Sequence, residues 1–364
     1  MKKILIFCTH FWPFLGGLES YILNLAVHLI KKGYRVDVAV LNTEDVKEFE
    51  QYQGINIYRV PCKSILNNTW AYPSFKGILS LWRLKKNRYD IIFTQTRFFS
   101  TAWIGSLFSI LWRTKHIHFE HGSDFVKHPS KKIALVSRFV DNILGRFVFK
   151  TAHHTIGISN ACEEFARKLG AKHTSMIPNS IVFKDFKQKP HAIFKSPVFI
   201  CIGRLIYAKG FQDLIRALHV YNGLLYIIGD GPYKQELMKL AREKKINTFF
   251  FGTMLPKNYK QLFKHATIFV NPSYNEGLPS SVLESGAMSI PTICTNIGGS
   301  GQIINHSKNG YLIDIMSVSQ IRLHINKLLY NKLSLSRQLY KDIYNQFNWS
   351  NNIYQIIEVI ESIS

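Results

Sequence analysis

Residues 268–286 read Ile-Phe-Val-Asn-Pro-Ser-Tyr-Asn-Glu-Gly-Leu-Pro-Ser-Ser-Val-Leu-Glu-Ser-Gly. The stretch opens as a short apolar strand, Ile268 to Val270, and breaks at Asn271-Pro272, where a strand cannot easily continue. A polar loop follows. Pro279-Ser280 then predicts a helix start, because Pro suits a first turn and Ser suits an N-cap. The helix is expected from about Ser281 to Met288, ending before Pro291. Glu276 stands before this helix and Glu284 within it. Ser280 and Glu284, four residues apart, share a face, so Glu284 can point toward the space in front of the strand end. The N–H groups of the first turn face the same way and favour an anion there. Read alone, the same residues also fit a capped surface helix with two solvated glutamates.

Working outward, the strand–loop–helix unit recurs. Residues 4–8 read as a strand, followed by Trp12-Pro-Phe-Leu-Gly-Gly17 and a helix from about Leu18 to Lys32 with apolar Tyr21, Ile22, Leu25, Ala26 and Leu29. Gly33 closes it and Arg35–Leu41 is the next strand, which completes a βαβ unit. Further strands are expected at 55–60, 91–94, 116–120, 155–158 and 175–177, alternating with helices that include one long one over 131–150. Residues 186–197 are polar and Pro-bounded, and they read as a linker. Beyond it the alternation restarts at 198–203 and runs to a last helix from Trp349. The expectation is two doubly wound α/β domains, 1–185 and 198–348. Ligands of such sheets bind at the carboxyl ends of the strands, and two facing domains make a cleft.

Bulk properties narrow the function classes. The 364 residues suffice for two full cores. Formal net charge is +23. The basic excess is larger in the first half, with 28 basic against 13 acidic residues in 1–189 and 18 against 10 in 190–364. A surface of that sign suits an anionic partner. The five cysteines are scattered, odd in number and without a Cys-x-x-Cys pair, which argues for a reducing compartment and against disulfides or a zinc knuckle. Met1-Lys-Lys-Ile-Leu-Ile-Phe7 is too short for a signal-peptide core and reads as a buried strand. Phe98–Trp112 is too short and too polar to span a bilayer. Residues 131–150 carry apolar groups at helical spacing with basic residues among them. That pattern suits a helix lying on anionic lipid, and equally an ordinary core-facing helix.

Several residues at strand ends can carry chemistry. Arg204 and Lys209 follow the first strand of the second half, where two cations ahead of a helix suit a diphosphate; Arg grips it through two donors and Lys acts as a point charge. Gly16 and Gly17 follow the first strand and allow close approach of backbone to a phosphate or sugar. They do not form the Gly-x-Gly-x-x-Gly fingerprint, so a nicotinamide cofactor is not expected. His121, in His121-Gly-Ser-Asp124, follows the strand ending at Glu120 and can donate to a hydroxyl or stabilise developing charge. His116, His118 and His121 lack a Cys or a patterned carboxylate beside them, and no Asp-x-Asp occurs in the chain. No metal is therefore expected.

In this order and spacing the chain resembles glycosyltransferase family 4, retaining enzymes of the GT-B fold. The resemblance rests on Gly16-Gly-Leu-Glu19, His121-Gly-Ser-Asp124, Ile158-Ser-Asn160, Ile177-Pro-Asn-Ser180, Gly203-Arg204 with Lys209-Gly210, Gly229-Asp-Gly-Pro232, Phe251-Gly252, Glu276-Gly-Leu-Pro-Ser-Ser-Val-Leu-Glu284 and Phe347-Asn-Trp349. It departs only at Ser180, where the family commonly carries Gly. The resemblance implies two Rossmann-like domains facing an interdomain cleft, with the last helix, 349–364, packed back on the first domain. It implies that Arg204 and Lys209 bind the donor diphosphate and stabilise the leaving nucleotide. Glu284 would hold the ribose hydroxyls, and Glu276 a hydroxyl of the donor sugar with the backbone of Gly277 and Leu278 nearby. His121 would line the reacting centre, Gly16 and Gly17 would approach the phosphates, and Gly252 would border the donor. Positive charge would replace a metal, and no cofactor is implied.

The expected function is transfer of a sugar, with retention, from a UDP- or GDP-linked donor to a glycan or lipid-linked acceptor in surface polysaccharide synthesis (O-antigen, capsule or lipopolysaccharide). The expected location is the cytoplasm, peripherally on the inner face of the cytoplasmic membrane through basic amphipathic helices of the first domain. The competing enzyme reading is a nucleotide-sugar epimerase of the same fold class, which would turn over without an acceptor. A nucleic-acid-binding protein is the competitor from another class. No stacking platform or reading motif accompanies the basic residues, so nucleic acid is not expected as a partner.

Overall fold

The computed structural model describes residues 1–14, 16–43, 46–65, 70–125, 131–186, 196–330 and 333–363. Most of the expected linker, 187–195, lies outside them. The chain divides into two compact units, Met1–Asn179 with Trp349–Ser364, and Ser180–Asn348. The first unit therefore ends some residues before the 185 expected from composition. Residues from Ser180 onward belong to the second unit because Ile181 bridges Asn348 and the Phe183 ring packs edge-on against Tyr340 and Tyr344.

The N-terminal unit is built on a sheet of strands β1 (Lys3–Cys8), β2 (Arg35–Leu41), β3 (Phe49–Tyr52), β4 (Ile55–Val60), β7 (Ile91–Gln95), β8 (Lys115–Glu120), β9 (His154–Gly157) and β10 (Thr174–Met176). Their spatial order is β10-β9-β8-β7-β1-β2-β4-β3, parallel except for β3 against β4. A separate hairpin, β5 (Cys62–Ile65) with β6 (Trp70–Pro73), completes the strands and is absent from the sequence expectation. Parallel strands covered on both faces need continuous apolar runs. Ile4 to Phe7 and Ile91 to Phe93 supply them and are buried throughout. Helix α1 (Gly17–Lys31) covers the sheet with Tyr21, Ile22, Leu25, Ala26 and Leu29, the residues the helical spacing selects. The C-terminal helix Trp349–Ser362 packs on α1, placing the buried Trp349 ring 5.3 Å from Tyr21 and 5.4 Å from His28. Helices α2 (Phe75–Leu84) and α3 (Ser100–Trp112) follow β6 and β7.

The long helix expected over 131–150 is three pieces: α4 (Lys131–Val140), a π-helical turn (Asp141–Gly145) and α5 (Arg146–Thr151). Helical periodicity shows no interruption here, because a π turn adds one residue without breaking the run of helical dihedrals. Helix α6 (Asn160–Lys168) begins at Ser159, whose hydroxyl accepts from the Cys162 N–H at 3.2 Å.

The C-terminal unit carries β11 (Val198–Ile202), β12 (Leu224–Ile228), β13 (Asn247–Phe250), β14 (Ile268–Asn271), β15 (Thr292–Thr295) and β16 (Tyr311–Ile313) in the order β13-β12-β11-β14-β15-β16. Every pairing is parallel. The chain lays down β11, β12 and β13 outward in one direction and then returns to add β14, β15 and β16 on the other side. The reversal falls between β11 and β14, and open parallel sheets bind ligands at such a switch point. Helices α7 (Phe211–Leu218), α8 (Lys234–Glu243), α9 (Pro256–Phe263) and α10 (Ser280–Ala287) flank the sheet. Phe199, Cys201, Leu214, Ile215, Leu225 and Ile268 belong to the core beneath them.

Candidate functional site

In the C-terminal unit the loops after β11 and β14 are fastened together. Gly210 adopts φ +66°, the left-handed region that favours glycine, and a Cβ there would lie 2.0 Å from the Pro272 carbonyl oxygen. The Tyr274 N–H donates to the Ala208 carbonyl at 2.8 Å. The Tyr274 hydroxyl donates to Asp213 Oδ2 at 2.5 Å and accepts from Gln212 Nε2 at 2.6 Å. This clasp brings Lys209, at the end of the β11 loop, to Glu276 in the β14 loop, with Nζ to Oε1 at 2.6 Å. Ser273 Oγ donates to the same oxygen at 2.7 Å. The loop after β15 closes from the other side. Gly298, at φ +52°, lies so close that a Cβ would meet the Glu276 carbonyl oxygen at 2.0 Å, and the Gly299 N–H donates to the Gly277 carbonyl at 2.6 Å. The loops after β11 and β15 thus clamp Glu276-Gly277 of the β14 loop at the switch point.

Leu278 is buried, and among the described residues the N–H groups of Gly277 and Leu278 have no hydrogen-bond partner. Arg204 is exposed at the end of β11. Gly252, at φ +69°, bridges Gly229, whose N–H donates to it at 2.8 Å, and so ties the β13 loop to the β12 loop. A cation suits an anionic group, and the carboxylate with the free backbone donors suits hydroxyls, so this strand-end corner is a candidate site for a polar ligand that carries both.

Helix α10 differs in one detail from the sequence expectation. Pro279 occupies the N-cap position with no side-chain cap, and Ser280 is the first helical residue. The Pro279 carbonyl accepts from Val282 and Leu283 at 3.0 and 3.3 Å and starts the helix without a hydroxyl. Glu284 is partly buried and accepts from the Tyr259 hydroxyl at 2.9 Å, so it is held by α9. Burial pushes its carboxyl up to about 7, against the Tyr259 hydrogen bond and the charge of Lys260. A carboxyl titrating near neutrality at a strand-end site marks a functional candidate.

The N-terminal unit has its own switch point, between β1 and β7. Gly16 precedes α1, and its N–H donates to Glu19 Oε2 at 2.9 Å, while Gly17 is the first residue of the helix. Glu19 is buried, and its bond to Gly16 fixes the glycine loop. His121 lies past the end of β8, edge-on to Tyr21 at 4.9 Å between centroids, with Nε2 2.9 Å from Gln95 Oε1. The Gln95 oxygen accepts, so Nε2 carries the proton. Burial lowers His121 to about 4, so the ring is neutral and Nδ1 is an acceptor.

His116 and His118 share one hydrogen-bond partner. The Thr94 hydroxyl lies 2.8 Å from both His116 Nε2 and His118 Nδ1, donating to one and accepting from the other. Among the described residues no group of three or more His, Cys, Asp or Glu is arranged to hold a metal ion.

Sequence reasoning missed a buried ionic cluster beside His121. Arg97 Nη1 lies 2.8 Å from Glu120 Oε1, and Nη2 lies 3.1 Å from Asp141 Oδ2. Both carboxylates are fully buried. Burial works against charge on Glu120, but Arg97, His118 and the Gly122 N–H hold its carboxyl down at about 2. The available signal is the polar run Thr94-Gln-Thr-Arg97 directly after the apolar half of β7.

Residues 183–346 match the family described as "Glycosyl transferases group 1", and residues 15–183 match "Glycosyltransferase Family 4". The chain belongs to glycosyltransferase family 4. An uncharacterized glycosyltransferase of Methanocaldococcus jannaschii is 28% identical over 390 residues, covering 99% of this chain and 98% of its own. The Escherichia coli UDP-Gal:alpha-D-GlcNAc-diphosphoundecaprenol alpha-1,3-galactosyltransferase is 22% identical over 376 residues, covering 95% and 94%. Among solved structures, a sucrose-phosphate synthase of Thermosynechococcus elongatus superposes with a TM-score of 0.84 at 18% identity over 100% of this chain and 99% of its own. HepE of Anabaena, solved with UDP and glucose, superposes with a TM-score of 0.79 at 18% identity over all of both chains. The protein is a glycosyltransferase of the GT-B fold, an α/β protein with two Rossmann-like sheets.

Proposed function

We propose that the protein transfers a sugar, with retention of anomeric configuration, from a UDP- or GDP-linked donor to a glycan or lipid-linked acceptor in the assembly of a surface polysaccharide. The observation that carries this reading is the Lys209–Glu276 pair at the C-terminal unit's switch point, where the loops after β11, β14 and β15 meet. Lys209 and Arg204 meet the donor diphosphate, and Glu276 with the Gly277 and Leu278 N–H groups meets the donor sugar. Glu284 takes the ribose hydroxyls. Breaking the anomeric C–O bond leaves negative charge on the diphosphate and positive charge on the sugar. Cations on the first and a carboxylate beside the second lower the barrier, with no metal needed. The polyprenol-linked acceptor named for the E. coli relative supports a lipid-linked acceptor. Phosphatidylinositol N-acetylglucosaminyltransferase subunits among the relatives are likewise named for a lipid acceptor.

A membrane-surface location follows from this reading. No described helix is long and apolar enough to cross a membrane. The N-terminal unit nevertheless presents large apolar side chains to solvent, Phe75, Leu79 and Trp82 from α2 and Leu135, Val136 and Phe139 from α4. On α2 these recur at helical spacing beside Lys76 and Arg83, and neither helix contains an acidic residue. Apolar rows flanked by cations suit anionic lipid on the cytoplasmic face.

The deciding test is sugar transfer by K209A and E276Q, assayed with UDP- and GDP-sugars and extracted lipid-linked acceptor. Each folded variant loses at least about 10²-fold in kcat, the usual cost of removing one charge-stabilising group. Undiminished transfer by either sinks the site assignment. Sugar conversion without any acceptor favours the epimerase reading.

A further inference from the structure

The corner at the end of β7 has four features that core packing does not call for. Thr96 sits at φ +53°, a left-handed conformation that is strained for a β-branched residue. Arg97 is almost wholly buried, at 3% exposure. The chain makes room for it: a Cβ at Gly122 would lie 2.7 Å from Arg97 Nη1, and one at Gly145 would lie 3.3 Å from its Cδ. Gly145 ends the π-helical turn that begins at Asp141, and π turns recur at functional sites. An apolar residue at 97 would fill this space without two buried carboxylates, and buried ion pairs are poor sources of stability.

The bonds of the cluster lead to one loop. Glu120 Oε1 accepts from both Arg97 Nη1 and the Gly122 N–H, the latter at 2.7 Å. Arg97 Nη2 donates to the Asp124 carbonyl at 2.9 Å as well as to Asp141. Arg97 Cζ lies over the Phe165 ring, 4.3 Å from its centroid. His121-Gly122-Ser123-Asp124 is therefore pinned at Gly122 and Asp124, one on each side of the fork. Gln95, which holds the His121 ring, is two residues before Arg97 on the same strand end.

We propose that Arg97 is a positioning residue for the transfer reaction: its buried fork on Glu120 and Asp141 sets the loop that carries His121, and the strained Thr96 aims that fork. This rests on the reading of His121 at the reacting centre. A planar fork reaches Glu120, Asp141 and the Asp124 carbonyl together, whereas a lysine reaches only one or two of them. A misplacement of about 1 Å at a reacting group can cost on the order of 10² in rate.

The test uses R97K, and R97M/E120L/D141L in case the single change leaves a buried charge unpaired and unfolds the chain. Removing the whole ion cluster leaves the triple variant folded, with a melting temperature at or above wild type. Both variants lose about 10²-fold in kcat, with donor KM within about two-fold of wild type. In NMR titrations the His121 ring, neutral down to about pH 4 in wild type, protonates at higher pH in R97K as its seat loosens. Wild-type kcat in either folded variant overturns the proposal, and so does a kcat loss with an unmoved His121 titration in R97K. A fully active H121A instead overturns the role given to His121, independently of the Arg97 results.

Discussion

Glu284 shows how burial turns an acidic residue into a pH-sensitive one. Its carboxyl ionises near 4.5 in an unfolded chain and near 7 in the fold. Between those values the folded chain keeps a proton that the unfolded chain has lost. Stability without ligand therefore falls as pH rises from about 4.5 to 7 and is flat above that. The full shift corresponds to at most about 3 kcal/mol, and less because water reaches one edge of the side chain. Urea unfolding at pH 5 and pH 8 is expected to show this loss in wild type and not in E284Q, which still accepts from Tyr259. The same substitution weakens nucleotide binding if Glu284 holds the ribose. The spacing of Glu276 and Glu284 was legible in residues 268–286, but their partners Lys209 and Tyr259 were not. Those contacts join loops and helices that are distant in sequence, and no local periodicity encodes them.

At the scale of elements, helix α2 is the informative case. Its Gly77, Leu81 and Leu84 face inward, and Phe75, Ile78, Leu79 and Trp82 recur at helical spacing on the opposite face. An amphipathic pattern alone would have sent the larger apolar row to the core. The inner row is small because Gly77 sits against the Pro61 carbonyl, where a Cβ would lie 2.1 Å away. The outer row faces solvent. Sedimentation with vesicles containing anionic phospholipid is expected to carry wild type down, and vesicles of zwitterionic lipid alone are not. F75S/W82S is expected to lose most of that binding while keeping its melting temperature, since both side chains are exposed. Equal binding of the variant and wild type would count against α2 as the contact. The sequence offers residues 131–150 for this proposed role, and the exposed apolar row makes α2 a second candidate.

At the scale of the whole molecule, two units each carry a largely parallel sheet with a switch point, and the cations and carboxylates of the proposed donor site lie on the second. Nucleoside diphosphates are therefore expected to raise the melting temperature through the C-terminal unit. Stabilisation is about 2.7 kcal/mol at a ligand concentration of 100 Kd. A thermal-shift screen of UDP, GDP, ADP and their sugars should single out one base, and K209A should abolish its shift. A shift of equal size with K209A would move the diphosphate elsewhere. The net charge of +23 makes salt a necessary control, because exposed cations attract any polyphosphate weakly at low ionic strength.

Alternation of apolar runs with Gly- and Pro-marked turns was enough to determine two parallel α/β units, because a strand buried on both faces and a helix buried on one leave different periods in the chain. Strand-end position made Gly16, His121, Arg204, Lys209 and Glu276 candidates, with Glu284 in the helix that follows, and the order of motifs gave them their expected roles. Tertiary structure alone decided which of them meet. Lys209 reaches Glu276 only because Gly210 lets one loop lie on the Pro272 carbonyl. Arg97, Glu120 and Asp141 become one buried cluster only where β7, β8 and a π-helical turn converge. A charge in sequence carries no record of its burial. Burial gives these groups their altered titration and fixed geometry, and it is a property of the packed fold.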